Sequence, residues 1–127
     1  MERFLWVCFG GALGTGARYL VTGWTLKAFG TSFPFASLSV NLIGSFLIGF
    51  AMQVAPSTEL LSPTLRIALT AGVLGGFTTY SAFSYEATRQ LQSGDVAIGA
   101  LNIALTTAGC LLACLLGLAC ARWFLQA

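Results

Sequence analysis

Histidine is absent from this 127-residue chain. Its absence excludes bis-histidine haem ligation, most zinc sites and imidazole proton relays. Charge is nearly as scarce: Asp, Glu, Lys and Arg make up 8% of the residues, against about 25% in a typical soluble domain. The four cysteines, Cys8, Cys110, Cys114 and Cys120, form no CxxC pair and sit in apolar surroundings, so they read as small hydrophobes. The sequence offers no nucleophile–base pair and no cluster of metal-ligating side chains, which argues against an enzyme. What remains is apolar: 57% of residues are hydrophobic and the mean hydropathy is +0.84. A globule could not cover such a composition with polar surface. The chain therefore reads as an all-α membrane protein, with residues 1–127 forming a single transmembrane domain.

Apolar runs of about 20 residues mark four expected spans. They are roughly Phe4–Leu26, Phe33–Val54, Pro63–Leu91 and Val96–Leu125, joined by the short connections Lys27–Ser32, Ala55–Ser62 and Gln92–Asp95. The first carries Arg18 in its interior and lacks a short apolar region ending in a small-residue cleavage site, so it reads as a retained helix. Four spans put both termini on one side of the membrane. Arg3, Arg66 and Arg122 then face one side, and Arg18, Lys27 and Arg89 the other. Orientation follows Lys/Arg asymmetry, and a balance of 3 against 3 supplies none. Either other signals orient the chain, or it inserts both ways and pairs with an inverted copy of itself. Gly10 with Gly14, and Gly72 with Gly76, make small-residue faces suited to tight helix packing, within the chain or between chains.

Polar residues inside a bilayer are costly and mark function by default. Here they fall into helical stripes: Ser37, Asn41 and Ser45 in the second span; Ser81, Ser84 and Thr88 in the third; Asn102 and Thr106 in the fourth, continued by Cys110. Single hydroxyls can bond back to their own helix. Asn41 cannot satisfy its amide that way and needs another helix, water or a ligand. Tyr80 and Phe83 place two rings one turn apart beside these hydroxyls, and the edge of a ring is its positive part. Such a track, rich in neutral donors and poor in carboxylates, suits a small anion better than a cation. Arg18 either snorkels to an interface, raises the anion concentration of a vestibule, or pairs with Glu86.

The third span is interrupted. Residues 72–86 read Gly-Val-Leu-Gly-Gly-Phe-Thr-Thr-Tyr-Ser-Ala-Phe-Ser-Tyr-Glu, and glycine costs about 1 kcal/mol relative to alanine in a helix. Residues 75–78 are the expected break. Irregular backbone at membrane depth survives only where protein buries it or a cavity solvates it. Freed carbonyls there are hard oxygen ligands, and two such breaks meeting on a twofold axis would cage a small monovalent cation. A kink filled by a neighbouring helix is the plainer alternative.

With these residues in view, the chain resembles the Fluc/CrcB fluoride channel family over nearly its whole length. The matching pieces are Gly10-Gly11-Ala12-Leu13-Gly14 with Arg18-Tyr19, then Asn41-Leu42-Ile43-Gly44, and most specifically Gly75-Gly76-Phe77-Thr78-Thr79-Tyr80-Ser81-Ala82-Phe83-Ser84 with Glu86. The resemblance implies a fluoride-specific channel in the bacterial inner membrane, surrounded by lipid and assembled as an antiparallel, dual-topology homodimer with two pores. It implies a structural sodium ion (Na+) held at the dimer centre by the backbone carbonyls of Gly75 and Thr78. It also implies pore roles for Asn41, Tyr80 and Phe83, a hydroxyl track through Ser81, Thr79 and Thr106, and a vestibule role for Arg18. Tyr80 departs from the family's usual phenylalanine. A four-helix drug–proton antiporter would need a titratable carboxylate in its chamber. Of Glu2, Glu59, Glu86 and Asp95, only Glu86 falls within a span. A membrane-anchor subunit would leave the polar stripes unexplained.

Overall fold

The computed structural model describes residues 1–57 and 61–126. It is helical throughout, with no strand among the described residues: α1 (Glu2–Phe29), α2 (Phe35–Val54), α3 (Pro63–Ile67), a π-helical run Ala68–Leu74, α4 (Gly75–Phe77), α5 (Tyr80–Gln92) and α6 (Val96–Gln126). Three of these helices, α1, α2 and α6, are long and apolar enough to cross a membrane. The third expected span is a composite running from α3 to α5. Glu59 and part of the second connection lie outside the described residues.

Local chemistry explains most of the boundaries. Pro34 stands immediately before α2, and Pro56 lies in the turn after it. Pro63 opens α3 behind Ser62, whose hydroxyl accepts the Leu65 N–H at 3.2 Å. There proline forfeits an N–H that a helix start leaves unpaired. Gly30 and Gly94 take positive φ in the α1–α2 and α5–α6 turns, a conformation open to glycine at little cost.

Two parallel helix pairs form the bundle. In the first, α1 runs alongside the α3–α4 half of the third pass. A methyl group on Gly14 would run into the Val73 carbonyl and lie 2.9 Å from the Phe77 nitrogen; one on Gly72 would lie 2.9 Å from the Val7 carbonyl. Both small-residue faces are thus used within the chain, bringing backbone against backbone. In the second pair α2 lies along α6, with Gly49 and Gly117 at the crossing. Then α5 folds back antiparallel onto the first half of α6, where Asn102 donates to Gln90 Oε1 at 3.2 Å. The buried set is small and the outward surface is leucine, phenylalanine and tryptophan, as expected for helices that face lipid or another subunit rather than water.

The break sits later than the glycines suggest. Gly75 and Gly76 are helical, and the chain leaves the helix at Thr78 (φ −77°, ψ 158°) and Thr79 (φ −150°, ψ 106°). The glycine pair serves the close approach to α1; the side chains around the two threonines stabilise the extended backbone.

Candidate anion path

Asn41 and Thr79 organise the site. Asn41 Nδ2 donates to the Thr79 carbonyl at 3.0 Å, and the Thr79 N–H donates to Asn41 Oδ1 at 2.8 Å. Both residues are buried. The expected need of Asn41 for a partner outside its own helix is met by main chain: its amide replaces the bonds that Thr79 would have made in a continuous helix. The second N–H on Nδ2 makes no hydrogen bond among the described residues. The Thr79 hydroxyl accepts the Ala82 N–H at 3.2 Å, capping α5, and lies 3.4 Å from the Ser81 hydroxyl.

A groove of about 610 Å³ opens beside this junction. Its wall includes Asn41, Gly75, Thr78, Tyr80, Phe83 and Thr106 from the expected site, together with Ser45, Thr70, Thr107, Cys110 and Cys114. No charged side chain among the described residues lines it. The Tyr80 and Phe83 rings meet edge to face, with centroids 5.5 Å apart and planes at 64°. Phe83 is buried, whereas Tyr80 is 78% exposed. The Thr106 hydroxyl donates to Asn102 Oδ1 at 3.1 Å. Asn102 is fully buried and links the groove wall to Gln90 at the end of α5.

Arg18, Thr79 and Ser81 do not line this groove. Arg18 and Thr79 border a second cavity of about 260 Å³, with Thr15, Thr22, Ser37 and Glu86. Glu86 accepts a short hydrogen bond from the Ser37 hydroxyl, and no ion pair joins it to Arg18 among the described residues. Ser81 is exposed on the α5 surface. The Asn41–Thr79 pair lies between the two cavities, Asn41 facing the first and Thr79 the second.

The main-chain oxygens at the break fit a small hard cation. The donor that would close the helical bond to the Gly75 carbonyl is the Thr79 N–H, which goes to Asn41 instead. The donor for the Thr78 carbonyl is the Ala82 N–H, which goes to the Thr79 hydroxyl. Both carbonyls belong to residues on the groove wall. The pairings Asn41–Thr79, Ser37–Glu86 and Asn102–Gln90 carry no local sequence signal. Only the Asn102–Thr106 contact, at i, i+4, had one.

Comparison with known proteins identifies the family. Residues 5–118 match the family model described as CrcB-like protein, Camphor Resistance (CrcB). The chain is 52% identical over 122 residues to a fluoride-specific ion channel FluC of Sorangium cellulosum (strain So ce56), covering 96% of each chain. It is 47% identical over 123 residues to one of Anaeromyxobacter sp. (strain K), covering 97% of this chain and 98% of the relative. It is 43% identical over 122 residues to one of Citrifermentans bemidjiense, covering 96% and 98%. On the strength of that family match and near-full-length identity, this chain belongs to the CrcB-like family.

Proposed function

We propose that the chain is a fluoride-specific ion channel that lets fluoride leave a bacterial cell passively across the inner membrane. The observation that carries this reading is the uncharged groove, in which ring edges and neutral polar groups gather beside the break, in a chain 52% identical to a protein named for that activity. Fluoride is small and strongly hydrated, so a path for it must replace water with close donors. It must also hold the ion weakly enough at several places for it to move on. The spare Asn41 N–H and the edges of Tyr80 and Phe83 suit that task, and Arg18 would concentrate anions in the second cavity. Thr79 and Ser81 extend the donor set beyond the groove.

In the same reading the functional unit is an antiparallel homodimer in lipid, with two pores. The groove is open along one side of the single chain, and an inverted copy would close it; the balanced charge count places no penalty on either orientation. Sodium would be held by the Gly75 and Thr78 carbonyls, supplying fixed positive charge that stabilises nearby anions and joins the subunits. Fluoride efflux from proteoliposomes is the test. Efflux well above that of empty vesicles, with chloride retained, is expected; no efflux from correctly folded, reconstituted protein overturns the proposal.

A further inference from the structure

We propose that Asn41 is a positioning residue for the cation site: by taking the Thr79 N–H, it keeps the Gly75 carbonyl free to bind a monovalent cation. In a continuous helix that N–H would bond to the carbonyl four residues earlier, which is Gly75. Asn41 Oδ1 accepts it at 2.8 Å, while Asn41 Nδ2 holds the Thr79 carbonyl at 3.0 Å and so turns the whole peptide unit toward α2. The polarity of the peptide fixes the amide orientation, because a flipped Asn41 would set oxygen against oxygen and N–H against N–H. The Thr78 carbonyl is released by the parallel device, in which the Thr79 hydroxyl takes the Ala82 N–H. Two adjacent side chains thus hold two main-chain oxygens out of the helix. Asn41 and Thr79 are each only 8% exposed, although each borders a cavity, so the bonds between them are largely shielded from water.

The inference rests on the cation reading above for its functional meaning, and its test separates the two. The full-length protein, reconstituted in lipid nanodiscs with a ¹³C label on the Gly75 carbonyl, is compared with Asn41→Leu, which is similar in size but can neither accept nor donate. In sodium-free buffer the Gly75 resonance of the wild type is expected at the position of an unbonded carbonyl. In Asn41→Leu it moves to that of a helix-bonded one. A carbonyl shift unchanged by the substitution overturns the proposal, whatever happens to conduction.

Sodium titration then reads the coupling. A cation at one hundred times its dissociation constant raises the folded-to-unfolded ratio about a hundredfold. That stabilisation, seen as a rise in melting temperature over an equal concentration of N-methylglucamine, is expected in the wild type and lost in Asn41→Leu. A folded variant that keeps the full sodium response overturns the positioning role. A wild type without any sodium response removes the cation reading, while the carbonyl shift still decides whether Asn41 frees Gly75. Should Asn41→Leu fail to fold, Asn41→Ser, whose hydroxyl is too short to span both Thr79 groups, carries the same comparison.

Discussion

The two cavities on either side of the Asn41–Thr79 junction differ in chemistry far more than in setting. The larger has no charged residue in its wall among the described residues and offers rings, hydroxyls and thiols; the smaller brings Arg18 and Glu86 together on one surface. They are separated by one reciprocal hydrogen-bonded pair. The contrast suits the two cavities to different tasks. A charged chamber gathers or repels ions at a distance, because Coulomb forces are long-ranged. A neutral, donor-lined groove can coordinate an ion without trapping it, because no single charge holds it. A uniform channel of either kind would do only one of these.

The largest effect should come from unseating α1, the helix that supplies much of the chamber wall. The smaller cavity depends on α1 for Thr15, Arg18, Tyr19 and Thr22, and α1 is seated by Gly14 against the Val73 and Phe77 backbone. Overpacking a well-packed site typically costs about 1–3 kcal/mol, and more where backbone must move. Gly14→Val is therefore expected to abolish monodisperse, folded protein in size-exclusion chromatography. Gly16→Ala, at a position with nothing within 4 Å, is expected to behave as the wild type. A folded and active Gly14→Val protein would show that the α1 interface does not determine the chamber.

A subtler change separates gathering from coordination. Arg18→Gln removes the chamber's positive charge and leaves the groove intact. A unit charge acting over about 4 Å contributes roughly 1 kcal/mol at the dielectric constant of water, or about fivefold in local anion concentration. Fluoride flux from proteoliposomes should therefore fall by about that factor at ~10 mM ionic strength, where the screening length is ~30 Å, and recover toward wild type near ~1 M, where it is ~3 Å. A deficit that is the same at both ionic strengths would place Arg18 in direct contact with the moving ion, collapsing the distinction between the chambers.

The sequence made one side of this contrast more legible than the other. Three of the four expected spans, those of α1, α2 and α6, followed from apolar run length. The groove residues on α2, α5 and α6 followed from helical spacing, since Asn41, Tyr80, Phe83 and Thr106 lie on polar or aromatic stripes that the structure brings to one wall. The break was foreseen in the right segment but for the wrong reason. Glycine propensity points to residues 75–78, whereas the extended backbone lies at Thr78 and Thr79, where Asn41 holds both the N–H and the carbonyl of Thr79. A propensity of about 1 kcal/mol is easily overridden by packing against α1. The π-helical run before the break had no signature in composition. The Ser37–Glu86 contact that shapes the chamber joins residues 49 positions apart, a separation at which no periodicity carries information. Arg18, for which the resemblance implies a vestibule role, lies on the wall of the second cavity and not on that of the groove.

The smallest effect is expected from Tyr80→Phe, at the residue where this groove departs from the pattern the sequence otherwise follows. Its ring meets Phe83 edge to face, and its hydroxyl makes no hydrogen bond among the described residues. If the groove acts through ring edges, deleting the hydroxyl leaves the active part in place. Tyr80→Phe should then change fluoride flux by less than about twofold, within the ~0.5–1.5 kcal/mol that a whole aromatic pair contributes. Tyr80→Ala removes the edge itself and should cost more, up to roughly tenfold on the same scale. The order of the two variants is the decisive reading in a side-by-side efflux measurement. If Tyr80→Phe were as impaired as Tyr80→Ala, the hydroxyl rather than the ring would be the donor, and the groove would coordinate its ion through O–H groups alone.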